Sequence, residues 1–320
     1  MKKFSILLIV VLLFGFTTMQ AQAIDITWVH SNAAAQSEQR AQAGFDAYLE
    51  EQGWDWDVSI LDSGGSGEET ASNVEDAVER GVDAIIVSMA DLRAARAPLR
   101  NAVEDGIPVF GVDSGYVEEL VVDVTSNNYV IGARKSTYMI NELGGEGNIV
   151  AFKMAEHHGV RKRGNTLDVV LEENPDIEVL AEHNIDYTEF YEDTMETMHD
   201  YIMRFGLEEI DAVWAGWDEP GQAAAEAIMA QGGTRDDVFV VGSDGHPTAG
   251  EYIRDETPFK ATVAQSFEPI GEQVARYIHE IVVEGRSEEE VIPTNTVYMD
   301  TPLVTPANLP PEGEYLWDVD

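Results

Sequence analysis

Residues 72–88 read SNVEDAVERGVDAIIVS and residues 107–113 read IPVFGVD, and these two stretches decide the fold. Residues 70–80 carry the three-and-four spacing of a helix, Asp83–Ser88 is a short apolar run of strand length, residues 91–105 are helical again, and Ile107–Val112 is a second strand. A strand that returns through a helix to another strand makes a parallel pair with a crossover. The alternation continues outward about ten times. Further strands are expected at Ile24–His30, Asp57–Leu61, Leu120–Val124, Asn148–Phe152, Ile177–Ala181, Asp211–Ala215, Val238–Gly242 and Lys260–Ala264. Helical patterns fall at 128–144, 162–174, 191–205, 220–231 and 269–284, and Ala41, Phe45, Tyr48 and Leu49 would line one face of another helix. The order predicts an α/β fold of doubly wound parallel sheets. Two groups of about five strands exceed one core, so two lobes are expected.

Composition narrows the function. The chain has 320 residues, 60 Asp and Glu against 19 Lys and Arg, a net charge of -41, and no cysteine. Such a surface repels phosphate backbones and anionic leaflets, which argues against nucleic acid or membrane partners. Disulfides, Cys-ligated metals and thiol nucleophiles are excluded. Lys2 and Lys3 precede an apolar stretch from Phe4 to Phe16 that ends in Ala21-Gln22-Ala23, the pattern of a cleaved secretory signal over residues 1–23. No cysteine follows it to carry a lipid, so the expectation is a free, soluble protein of a periplasm-like compartment. The segment holds two lysines and no acid, so the acidity belongs to the mature chain, as a solvated exterior suited to salt.

In doubly wound sheets ligands bind beyond the carboxyl ends of strands. Just after the expected strands stand Ser31 and Asn32, Asp62 and Ser63, Ser88, Asp113 and Ser114, Ser126 and Asn127, Trp217 and Asp218, Ser243 and Asp244, and Gln265 and Ser266. Neutral hydrogen-bonders, carboxylates and an aromatic suit a polyhydroxylated ligand. No cofactor or metal is expected. SGGSG at 63–67 lacks the third spaced glycine of a dinucleotide turn, no phosphate-loop Gly-Lys-Ser/Thr exists, and His157 and His158 have no evident third ligand. No Ser/His/Asp order with elbow glycines supports nucleophilic catalysis.

Seven segments in order resemble the periplasmic sugar-binding proteins of ribose/galactose type that feed ABC importers. They are SNVEDAVERGVDAIIV (72–87), IPVFGVD (107–113), SNN (126–128), RKRG (161–164), DAVWAGWDE (211–219), VVGSDG (240–245) and ATVAQ (261–265). The resemblance implies the type I periplasmic-binding fold, two lobes joined by a three-strand hinge around a buried ligand. Lobe one would be residues 24–126 plus 266–292, and lobe two 127–265 plus 293–320. By position, Asp113 matches the family's sugar-gripping Asp, Arg161 its sugar-binding Arg, Asp244 the Asp of the second lobe and Gln265 a hinge-proximal amide. Ser88 and Trp217 stand where the family often has Asn, and Ser126 begins the first lobe crossing. The plainer alternatives are loop capping for Asp113, a surface salt bridge for Arg161, a turn for Asp244 and a core position for Trp217.

The chain also departs from the family. Many members carry stacking aromatics after the first strand, where this chain has NAAAQS ending in Ser37, the candidate contact of that loop. Ser114 stands where ribose-type members often have Arg. Tyr187, Phe190 and Tyr191 could return an aromatic from lobe two, with Phe190 the candidate. The resemblance implies a monomeric, non-catalytic protein that captures a monosaccharide or small polyol and presents it to an ABC permease. The alternatives are a sensor docking on a membrane receptor, an exported enzyme acting through Asp113 and Asp244, and a sugar-responsive repressor. Export and acidity speak against the last.

Overall fold

A computed structural model describes residues 24–319. The export-signal reading of residues 1–23 lies outside the described residues. Among the described residues no helix is long and apolar enough to cross a membrane.

The chain runs β1 Asp25–His30, α1 Gln36–Gln52, β2 Asp57–Asp62, α2 Gly67–Arg80, β3 Ala84–Ser88, α3 Leu92–Glu104, β4 Val109–Val112 and β5 Val122–Ser126. It continues with α4 Asn128–Glu142, β6 Gly147–Lys153, α5 His158–Glu172, β7 Ile177–Asn184, α6 Phe190–Phe205, β8 Ala212–Ala215, α7 Asp218–Ala230, β9 Phe239–Asp244, α8 Pro247–Arg254 and β10 Phe259–Ala264. Last come α9 Phe267–Ile278, α10 Glu288–Val291, β11 Thr296–Met299 and β12 Leu303–Val304. The ten expected strands are all present.

Two six-stranded sheets result, ordered β11-β5-β4-β3-β1-β2 and β12-β10-β9-β8-β6-β7. Every pairing is parallel except β12 on β10. In β3 and β4 every residue is buried, as parallel strands covered by helices on both faces require. In each sheet the strand order reverses beside the first strand, β1 or β6, and this creates the switch point at which ligands bind.

The chain passes between the sheets three times, after β5, after β10 and after β11. The last passage corrects the boundary expected at 292/293. Thr296–Met299 pairs with Asp123–Ser126 in the first sheet, so the crossing falls at residues 300–302, and only from Leu303 does the chain join the second. A four-residue, half-exposed edge strand after an acidic run gives little periodic signal.

Helix α9 follows a strand of the second sheet yet covers the first. Phe267, Ile270, Val274 and Ile278 bury against Phe45, Tyr48 and Leu49 of α1. The two helices touch backbone to backbone because each has a glycine at the contact. A Cβ on Gly271 would lie 1.9 Å from the Ala41 carbonyl oxygen, and one on Gly44 2.1 Å from that of Glu268. We expect Gly271→Ala to force the helices apart and to destabilise the protein by about 1–3 kcal/mol or more, read as a lower urea midpoint. An unchanged midpoint would show that the contact yields freely.

A polar cluster lies inside lobe one, between α1 and the ends of β1 and β3. Glu38 is fully buried; its Oε1 accepts from the Ser31 N–H at 2.8 Å and its Oε2 from the Ser88 hydroxyl, which in turn accepts from Trp28 Nε1 at 2.8 Å. His30 is buried beside it, Nδ1 3.9 Å from Glu38 Oε2, and neither ring nitrogen has a hydrogen-bond partner. Burial pushes Glu38 up to about 8, against its hydrogen bonds from Ser88 and Ser31. Burial also lowers His30 to about 4, against the charge of Asp62. Near pH 6 the pair is therefore two neutral groups, not an ion pair. Folded Glu38 keeps its proton to a higher pH than the unfolded chain does, so its contribution is complete below the ordinary value of 4.5 and is lost as pH rises toward 8. Glu38→Gln copies the protonated form. Between pH 5 and pH 8 we expect the variant to gain a few kcal/mol of unfolding free energy relative to the parent; an equal difference at both pH values would show that Glu38 is ionised in the fold.

Candidate functional site

A half-open pocket lies between the lobes, bordered by the carboxyl ends of strands from both sheets. Met89 and Asp113 follow β3 and β4, Met154 and Trp217 come after β6 and β8, Asp244 ends β9, and Gln265 follows β10. Four non-glycine residues among the described ones have positive φ, and three of them line this cavity: Met89 at 51°, Asp113 at 46° and Asp244 at 124°. Side chains rarely adopt that backbone region, and such strain gathers at functional sites.

Asp113 is held from lobe two as well as from its own lobe. Its Oδ1 accepts from the Thr125 hydroxyl and from Asn128 Nδ2 at 3.4 Å, and its backbone carbonyl meets His158 Nε2 at 2.8 Å across the cleft. Asp244 and Gln265 form a second group. Gln265 Nε2 donates to Asp244 Oδ1 at 2.7 Å, which orients the amide and leaves its buried Oε1 with no hydrogen-bond partner. Burial raises the pKa of Asp244, opposed by Arg163 and His246.

Arg163 is the cation of the site. It is 2% exposed; Nε donates to Asn128 Oδ1 at 2.7 Å, and Nη1 to Asp244 Oδ1 at 3.0 Å and to Ser243 Oγ and the Gly216 carbonyl at 3.1 Å each. Nη2 has no protein partner among the described residues. One wall is aromatic: Phe190 meets Trp217 edge to face at 5.7 Å and Tyr187 meets it at 6.4 Å. Burial raises the Tyr187 hydroxyl above its ordinary value, aided by the charges of Glu38 and Glu219.

Of the residues singled out from sequence, Ser37, Asp113, Phe190, Trp217, Asp244 and Gln265 line the cavity. Four do not. Ser88 lies beneath, bonded to Glu38 and Trp28. Ser114 turns away and donates to the Val87 carbonyl at 3.0 Å, while its N–H is held by Asp123. Ser126 is buried at the end of β5, its hydroxyl without a partner and off the cavity lining.

Arg161 is replaced by Arg163. Helix α5 starts at His158, capped by His157, and not near residue 162 as its periodicity suggested. Two residues on a helix are about 200° apart, so only one arginine of the RKRG turn can face the cleft. Arg161 instead donates to the Ala155 and Glu156 carbonyls. Helix phase was the missing signal. Met89, Met154, Val160, Glu219 and Phe267 also line the cavity and were not singled out.

Glu219, Asp244 and His246 bring ligand-type atoms within 4.8 Å of one another. Their charges are met from within the protein. His246 Nε2 lies 3.3 Å from Glu219, and Arg163 pairs with Asp244. Burial would lower the pKa of His246, but Glu219, Asp244 and Asp218 outweigh it and raise it.

The sequence matches the periplasmic binding protein domain over residues 26–287. It is 33% identical over 177 residues to the xylitol-binding protein of Mycolicibacterium smegmatis, a match that takes in 55% of this chain and 49%, about half, of that protein. It is 29% identical over 245 residues to the ribose import binding protein of Bacillus subtilis, covering 73% of this chain and 74% of that one. Among solved structures, an ABC sugar transporter subunit from Rhodobacter sphaeroides superposes with a TM-score of 0.79 at 26% identity, over 89% of this chain and 99% of that one. With more than half its length matched and both sheets in the expected order, the chain belongs to the periplasmic binding protein family.

Proposed function

We propose that this protein captures a monosaccharide or small polyol in its interlobe cavity and delivers it to an ABC permease. The observation that carries the reading is convergence: Asp113 from lobe one, Arg163 and Asp244 from lobe two and Gln265 from a crossing all border one pocket beside an aromatic wall. Asp113 has only Oδ1 engaged by the protein, which leaves Oδ2 to accept from ligand hydroxyls. Nη2 of Arg163 is a charged donor, and Oε1 of Gln265 an acceptor. A carboxylate and a guanidinium grip adjacent hydroxyls, and the flat face of Trp217 suits the apolar side of a sugar. The xylitol- and ribose-binding relatives support this ligand class.

Ligand touching both lobes favours the closed arrangement by the difference between its contacts in the two states. In the same reading the protein is exported through residues 1–23, works as a monomer in the periplasm, and releases its ligand unchanged.

Thermal unfolding of residues 24–320 against pentoses, hexoses and polyols tests the proposal. A cognate ligand at about 1,000 times its Kd adds about 4 kcal/mol; a folded protein that no sugar or polyol shifts would refute it. Asp113→Ala is expected to remain folded and to lose about 3 kcal/mol of binding, roughly 100-fold. Arg161→Ala should bind within about twofold of the parent, because the side chain faces away; normal binding by Asp113→Ala would move the site elsewhere.

A further inference from the structure

The cavity does not end at the site described above. Met89, Met154, His157 and Tyr187 border both it and an outer chamber of about 440 Å³ that opens at the cleft mouth, with Asp91 and Glu156 on the outer wall. A chamber of that volume lies within the roughly 300–1,000 Å³ range of ligand pockets. The four shared residues form a neck, and its two thioethers make it largely apolar.

His157 supplies one polar atom there. It caps α5, its Nδ1 accepting from the Val160 N–H at 3.4 Å, so in the neutral ring the proton sits on Nε2. Nε2–H has no acceptor among the described residues. Burial first, and then the neighbouring cations, holds the pKa of His157 well below its ordinary value, so the ring stays neutral with that single N–H. The His157 Nε2–H, with the Tyr187 hydroxyl as the other donor among the four neck residues, suits an oxygen that accepts. A free hydroxyl placed there would leave its own proton unmatched, at a cost that an ether oxygen avoids.

We infer that the outer chamber is a second subsite, which takes the O-linked substituent of a glycoside whose sugar ring occupies the inner cavity and whose bridging oxygen accepts from His157 Nε2. The inference rests on the sugar-capture reading and adds to it the class of ligand, a substituted sugar in preference to the free one.

Titration calorimetry tests it with D-ribose, D-xylose and D-galactose, their methyl and phenyl O-glycosides of both anomers, and the corresponding methyl thioglycosides. For one parent sugar we expect an O-glycoside to bind at least about tenfold tighter than the free sugar, and its sulfur analogue to lose several-fold of that gain because sulfur is a weak acceptor. Glu156→Trp, which fills the outer chamber, should abolish the gain and leave the free sugar's Kd within about twofold. If a parent sugar binds as tightly as all of its glycosides, or more tightly, the second subsite is overturned and sugar capture stands. If no sugar and no glycoside binds the folded protein, both readings fall.

Discussion

The buried guanidinium of Arg163 is the constraint on which the second lobe and the site depend. Removing such a charge from water costs several kcal/mol unless its hydrogen bonds are met. Here they are met by Asn128 at the start of α4, the Gly216 carbonyl after β8, and Ser243 and Asp244 at the end of β9. A single side chain on α5 thus ties three separate segments to one point. Lys135 lies beside it, with Nζ 3.1 Å from Ser243 Oγ and 3.8 Å over the ring of Trp214. Burial, and then the charge of Arg163, holds its pKa well below the ordinary value, opposed by Asp244 and Asp218.

That anchor reaches into lobe one through Asn128, which receives from Arg163 and donates to Asp113. At the other end Asp244 is shared between Arg163 and Gln265. The grips of both lobes are therefore members of one hydrogen-bonded chain. A second bridge runs through Arg40 of α1, which donates to the Asp244, Gly245 and Gln265 carbonyls and is itself held by Glu268 of α9 at 2.8 and 3.0 Å. Asp113 lines the pocket and also touches the other lobe, through Asn128 and His158.

Part of this was legible from residue order. Ten strands stood out as short apolar runs because parallel strands are buried on both faces and need no alternation. Asp113, Asp244, Trp217 and Gln265 were found because a strand's carboxyl end sends the next residue into the cleft. Ser88 shares that position and is not in the cavity: Glu38, a helix residue unremarkable in sequence, folds under the loop and takes up its hydroxyl. Arg161 holds the motif position that the resemblance assigns to the sugar-binding Arg, and the phase of α5, which local pattern does not carry, turns Arg163 to the cleft instead.

The sequence by itself determined the α/β class, the two-lobed division and the strand ends at which a ligand could bind, since these follow from local apolar runs and the chain order of strand and helix. Only the tertiary structure decided which arginine is buried, which serines turn inward, that β11 returns to the first sheet, and that Glu38 and His30 are neutral neighbours. Those outcomes depend on helix phase, on desolvation, and on contacts between residues as far apart as Arg40 and Glu268, none of which is carried by local pattern.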